Sequence, residues 1–182
     1  MGDLMTPQGV ALTSRLAARL ERAQRAANRT LLLDVSASME NPDAEGGRRR
    51  IEVLLDAVRN LPFRPGAIVA FSGSAALLPD PQMIPDRGQS NTNLAEAFAF
   101  VKRHGLPRDV VLVTDGEPDS ERDALREAQG LRVSVIFAGR AGEPPEFVRR
   151  LTAATGGEEV TVGFKLEQIE NSIRGLLEAP AR

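Results

Sequence analysis

TLLLDVSASME, residues 30–40, sets three leucines in front of an aspartate and then spaces two serines at alternate positions. Leu31, Leu32 and Leu33 show no polar alternation, the pattern of a strand buried on both faces. Parallel sheets covered by helices have such strands, and they bind ligands at the strands' carboxyl ends, where the strand order reverses. Asp34 stands at such an end, with Ser36 and Ser38 following it as D-x-S-x-S. Working outward, comparable apolar runs occur at AIVAFS (67–72), DVVLVTD (109–115), RVSVIFAG (132–139) and EEVTV (158–162). Between them, apolar residues at helical spacing predict helices over 48–60, 93–104, 120–129, 144–155 and 165–177. This alternation predicts an α/β fold with right-handed crossovers and a mainly parallel sheet with helices on both faces. Residues 74–91, rich in proline, break the alternation; a short edge strand is expected over Ala75–Leu78, then a loop.

A chain of 182 residues suits one domain with an appendage: a helical extension over 1–28 and a domain over 29–182. The formal net charge of −2 and a charged fraction of 26% provide no basic excess for a phosphate backbone, so nucleic acid is not an expected partner. The absence of cysteine excludes disulfides, thiolate metal sites and cysteine nucleophiles, and a single histidine, His104, nearly excludes zinc. The metal chemistry left is that of oxygen donors, which suit magnesium, manganese or calcium. No apolar run reaches the length of about 18 residues needed for a membrane span, and the first residues lack a secretory pattern, so a cytoplasmic location is expected. Leu12, Leu16, Leu20, Ala23 and Ala27 form a helical stripe flanked by Arg15, Arg19, Arg22 and Arg25. It reads as an extra amphipathic helix packed on the domain, with a transit peptide or membrane-surface helix as the alternative.

The polar residues at the strand ends are the candidates for chemistry. The first strand delivers Asp34, Ser36 and Ser38; the strand from Asp109 delivers Thr114 and Asp115 just before Gly116; the loop before residue 94 offers Ser90, Asn91, Thr92 and Asn93. Each has an ordinary role: Asp34 or Asp115 in a turn, the serines bonded to loop amides, Ser90 or Thr92 as a helix cap. Together they place two carboxylates among hydroxyls with no basic residue in those motifs. Such carboxylates repel each other unless a cation sits among them. An all-oxygen shell suits a hard cation, magnesium first.

DVSASM, the threonine in SNTNLAEAF, and VTDGEPD together resemble the three parts of the metal-ion-dependent adhesion site of von Willebrand factor type A domains, in matching order. The resemblance covers about 29–177. It implies a metal shell of Asp34, Ser36, Ser38, Thr92 and Asp115, with the two serines contacting the ion directly and the others directly or through water. It also implies a doubly wound six-stranded sheet with one short antiparallel edge strand, which Ala75–Leu78 would supply. The implied function is capture of a protein partner whose Asp or Glu completes the coordination of Mg2+, with Mn2+ or Ca2+ as alternatives, and not catalysis. Met39, Glu40, Asn41, Asn91, Glu117 and Pro118 are the candidates for the rim. Intracellular bacterial members of this family often work beside AAA+ ATPases, which makes such an ATPase or a multiprotein assembly the expected context.

The enzyme alternative resembles a haloacid dehalogenase-type phosphohydrolase, with Asp34 as nucleophile, Ser72 on phosphate, Lys102 balancing charge, and Asp115 and Asp119 on magnesium. It lacks the second acid two residues after the nucleophile, where this chain has Ser36. FSGSA has no glycine pair for a nucleophile elbow, no G-K-[ST] phosphate loop occurs, and His104 beside Gly105 reads as a helix-end residue. Arg48, Arg49 and Arg50 at a helix start read as a solvated face.

Overall fold

A computed structural model describes residues 7–85, 91–139 and 143–180, with side chains from Ser14 onward in the first helix. Six strands form one sheet: β1 (Arg29–Asp34), β2 (Ala67–Phe71), β3 (Ala75–Leu77), β4 (Asp109–Thr114), β5 (Arg132–Ala138) and β6 (Glu159–Val162), in the order β3-β2-β1-β4-β5-β6. All neighbours are parallel except β3, which runs antiparallel to β2 at the edge. β1 lies between β2 and β4, and the chain winds first to one side of it and then, after β3, to the other. The crevice at the carboxyl ends of β1 and β4 is therefore the topological switch point.

Helices α2 (Arg50–Arg59), α3 (Leu94–Arg103), α4 (Glu121–Glu127), α5 (Glu146–Thr155) and α6 (Leu166–Glu178) cover the sheet. The leucines of β1 divide between its two sides. Leu31 and Leu33 join a core with Ile51, Leu54, Ile169 and Ile173 of α2 and α6. Leu32 joins a second core with Phe98, Ala124 and Leu151 of α3, α4 and α5. That division is why β1 tolerates no polar alternation: both faces lose water. Expected and observed strands and helices agree to within a few residues, and the edge strand falls where the proline-rich segment begins.

The first helix, α1 (Pro7–Ala27), departs from expectation. Leu16 and Leu20 of its apolar stripe are 59% and 70% exposed, so the stripe is not packed on the domain. Its last turns dock on the body. Ala26 is fully buried, Arg25 Nη1 donates to the Glu178 carbonyl at 3.2 Å, and Arg22 pairs with the Glu178 carboxylate at 3.8 Å. The contacts that hold α1 are made by Arg22 and Arg25 to the carboxyl end of α6, which leaves Leu16 and Leu20 to line an open groove with Phe63. Where the chain leaves α1, buried Arg29 donates to Asp109 at 3.1 Å and to the Ala179 carbonyl at 2.8 Å. Gly66 fits against this corner, its N–H donating to the carbonyls of Ala26 and Arg29.

A Cβ on Gly66 would lie 2.2 Å from the Ala27 carbonyl oxygen, a backbone atom that cannot swing away. Gly66→Ala is expected to cost about 1–3 kcal/mol in a denaturant titration, the range for overpacking. Gly175→Ala has open space at the same atom inside α6 and is expected to gain about 0.5–1 kcal/mol from helix propensity.

Candidate metal centre

Asp34 ends β1 opposite the end of β4, since Leu33 pairs with Val113. It is fully buried, and two donors hold it: the Thr114 hydroxyl reaches one oxygen at 2.6 Å and the Ser36 backbone N–H the other at 2.9 Å. The chain leaves strand geometry after Val35, whose N–H donates to the Phe71 carbonyl. It then turns through a 3-10 turn over Ala37–Glu40. That turn brings the two serines together, with Ser36 Oγ 3.0 Å from Ser38 Oγ. Ser38 in turn donates to Asp115 Oδ1 at 2.7 Å. Four of the five expected residues thus form one continuous polar group across the ends of β1 and β4.

Thr92 is positioned differently. Its side chain joins none of these hydrogen bonds, but its backbone is clamped to the loop that follows Asp115. The Thr92 N–H donates to Asp119 Oδ1 at 3.1 Å, and the Asp119 N–H donates to the Thr92 carbonyl at 3.0 Å. Its neighbour Asn93 donates from its backbone N–H to the Ser72 carbonyl at the end of β2. The loop is therefore strung from the β2 end to the β4 loop, across the sheet edge that holds Asp34. Asn93, and not Thr92, caps α3, its side chain accepting from the Glu96 N–H at 3.1 Å. Thr92 is thus free of the capping role. Ser90 lies outside the described residues.

The three motifs hold no basic residue, but the fold brings one to them: Arg50, expected on a solvated face. This arginine, at the start of α2, donates from Nη1 to Asp115 Oδ2 at 2.6 Å. From Nε and Nη2 it forks onto Asp43 at 2.6 and 2.7 Å. Its side chain is 13% exposed, so it is not part of a solvated face. Arg48 and Arg49 keep more solvent and pair with Asp56, Glu40 and Glu52. A basic residue in the first turn of a helix opposes the helix dipole and calls for acidic partners. That conflict was the signal for Arg50, but it does not say which acid answers it. Three further expectations change. Met39 is buried in the core and cannot line a rim, because the 3-10 turn points it inward. Glu40 is held by Arg49. Lys102, assigned to charge balance in the phosphohydrolase alternative, lies in the last turn of α3 and pairs with Glu127 at 2.8 Å.

The oxygen-only character of the donors fits a hard cation: two carboxylates and hydroxyls converge on one edge, with no nitrogen or sulfur ligand beside them. Among the described residues no cluster of three or more His, Asp or Glu side chains forms a more conventional metal cage. Burial is the main influence on Asp34 and raises its pKa from 3.8 to about 6, opposed by the hydrogen bonds from Thr114 and Ser36; the nearby Asp115 charge adds to the rise.

No protein-family profile and no curated protein matches this chain. Solved structures do. A von Willebrand factor type A protein from Catenulispora acidiphila superposes with a TM-score of 0.59 at 17% identity, over 82% of this chain and 41% of that one. The conserved hypothetical protein BatB from Bacteroides thetaiotaomicron gives 0.54 at 19% identity, over 82% of this chain and 96% of that one. The VWA domain of SpRpn10 gives 0.54 at 12% identity, over 80% and 92%. These likenesses define the fold as von Willebrand factor type A-like.

Without metal, folded Asp34 keeps its proton to about pH 6, whereas an unfolded aspartate loses it near 3.8. Between those values the folded state binds more protons, so stability falls as pH rises through this window, by about 3 kcal/mol in full. Denaturant titrations in chelator are expected to show this decline as the difference between the native chain and Asp34→Asn, in which only the opposite contribution of Glu52 and Glu127, whose pKa values are lowered by their basic partners, remains.

Proposed function

We propose that this chain is a protein-binding module that takes an Asp or Glu of a partner through a divalent cation, Mg2+ first, held by Asp34, Ser36, Ser38, Thr92 and Asp115. The observation that carries this reading is the continuous group formed by Asp34, Ser36, Ser38 and Asp115 at the switch point of the sheet. Bound there, the cation would supply positive charge and an open coordination position for the partner's carboxylate. The chain's own part is to hold the donors rigidly. Thr114 and the Ser36 N–H fix both oxygens of Asp34, the 3-10 turn fixes the serines, and Asp119 fixes the loop of Thr92. Hydroxyl ligands coordinate without neutralising, so a shell built on them keeps its attraction for an external carboxylate. Asn41, Asn91 and Glu117 are exposed around this edge and would set partner choice.

An assembly with a AAA+ ATPase in the cytoplasm is the setting proposed, on the strength of the resemblance in sequence. Among the described residues no helix is long and apolar enough to cross a membrane. The phosphohydrolase reading draws less support, since position 36 is a serine and Lys102 is engaged elsewhere.

Mg2+ or Mn2+ is expected to raise the melting temperature, because an ion bound only by the native state stabilises it by about 2.7 kcal/mol at a hundred times its Kd. Asp34→Ala is expected to abolish the shift; an unchanged shift would place the ion elsewhere. No turnover of p-nitrophenyl phosphate is expected, and turnover lost in Asp34→Asn would favour the phosphohydrolase.

A further inference from the structure

Arg50 is bound more tightly than a surface arginine needs to be. Its guanidinium uses Nε and Nη2 on Asp43, uses Nη1 on Asp115, and lies over the Phe164 ring at 4.9 Å from the centroid. Asp115's side chain is fully buried and divides its oxygens: Oδ2 accepts from Arg50 and Oδ1 from Ser38. A fixed positive charge therefore sits on one of the two carboxylates of the metal centre, on the side away from the serines. Three partners on three different segments hold it there: Asp43 in the loop before α2, Asp115 after β4, and Phe164 after β6.

We propose that Arg50 is a built-in counter-cation of the metal centre: by pairing with Asp115 it offsets part of that carboxylate's charge and weakens the hold on the divalent ion. This rests on the metal-site reading above. The two carboxylates alone would cancel a divalent charge. The guanidinium adds one positive charge and Asp43, which it grips with two bonds, adds one negative, so the formal sum stays at zero; what Arg50 changes is the charge on Asp115 itself, which it contacts directly. Asp43 moderates the effect, since it shares the guanidinium and offsets part of its field. Removing Arg50 and removing Asp43 therefore act on the ion in opposite directions. A purely structural role predicts otherwise: loss of either residue would loosen the site and weaken binding.

The test is Mn2+ affinity of the full chain by isothermal titration at pH 7.5, for the native protein and for Arg50→Gln, Arg50→Lys, Asp43→Ala and Asp34→Ala, with thermal melts to confirm folding. Arg50→Gln is expected to bind Mn2+ about tenfold more tightly or better, Arg50→Lys to stay within about threefold of native, and Asp43→Ala to bind about threefold more weakly or worse. Unchanged or weaker binding by Arg50→Gln overturns the proposal, as does a lysine variant that behaves like the glutamine one. Should Arg50→Gln fail to fold, unchanged or tighter binding by Asp43→Ala overturns it instead. If native protein binds Mn2+, Asp34→Ala does not, and Arg50→Gln matches native, only the role of Arg50 falls. If neither native protein nor Arg50→Gln binds Mn2+, the metal-site reading falls and takes this inference with it.

Discussion

Two buried carboxylates on neighbouring strand ends are the constraint to which the rest of this edge answers. The whole of Asp34 and the side chain of Asp115 are closed to water, within one hydrogen-bonded group at the ends of β1 and β4. Burying ionised oxygens costs several kcal/mol each unless donors or counter-charges meet them. Thr114, the Ser36 N–H, Ser38 and Arg50 together meet that requirement. The sheet explains why they are available. A central strand buried on both faces holds Asp34 rigidly, and the reversal of strand order opens the space beside it into which the loops can turn.

Most of this architecture is legible in the residues themselves. Apolar runs, uninterrupted in β1, β2 and β4 and broken by buried Ser134 in β5, mark these strands because a parallel sheet buried on both faces leaves no solvent face to be polar. Helical spacing marks the crossovers, and the prolines after Leu77 mark the end of the antiparallel edge. D-x-S-x-S and VTDG are likewise legible, because the chemistry sits in short segments directly after strands. What is not legible depends on contacts between distant segments. Arg50 lies 65 residues from Asp115 in sequence and meets it only because α2 starts at the same sheet edge. Met39 looked like a rim residue because its neighbours are polar, but a 3-10 turn reverses its direction into the core. In α1 the apolar stripe shows amphipathicity without naming a partner surface, and α6 receives Arg22 and Arg25 of its last turns.

The fold tolerates wide sequence change, as the superpositions at 12–19% identity show. In this chain a guanidinium is pinned between Asp43 and Asp115. It converts a group that would otherwise need an external cation for charge balance into one already partly balanced. In the proposed adaptor, the hold on the ion is thereby reduced.

The most direct test of the central claim is an anomalous difference map from crystals of the full chain grown with Mn2+. A single strong peak within coordinating distance of the Ser36 and Ser38 hydroxyls, and within direct or water-bridged reach of Asp34, Thr92 and Asp115, is the predicted result. A peak elsewhere, or a fully ordered edge with no peak at saturating Mn2+, would contradict the account.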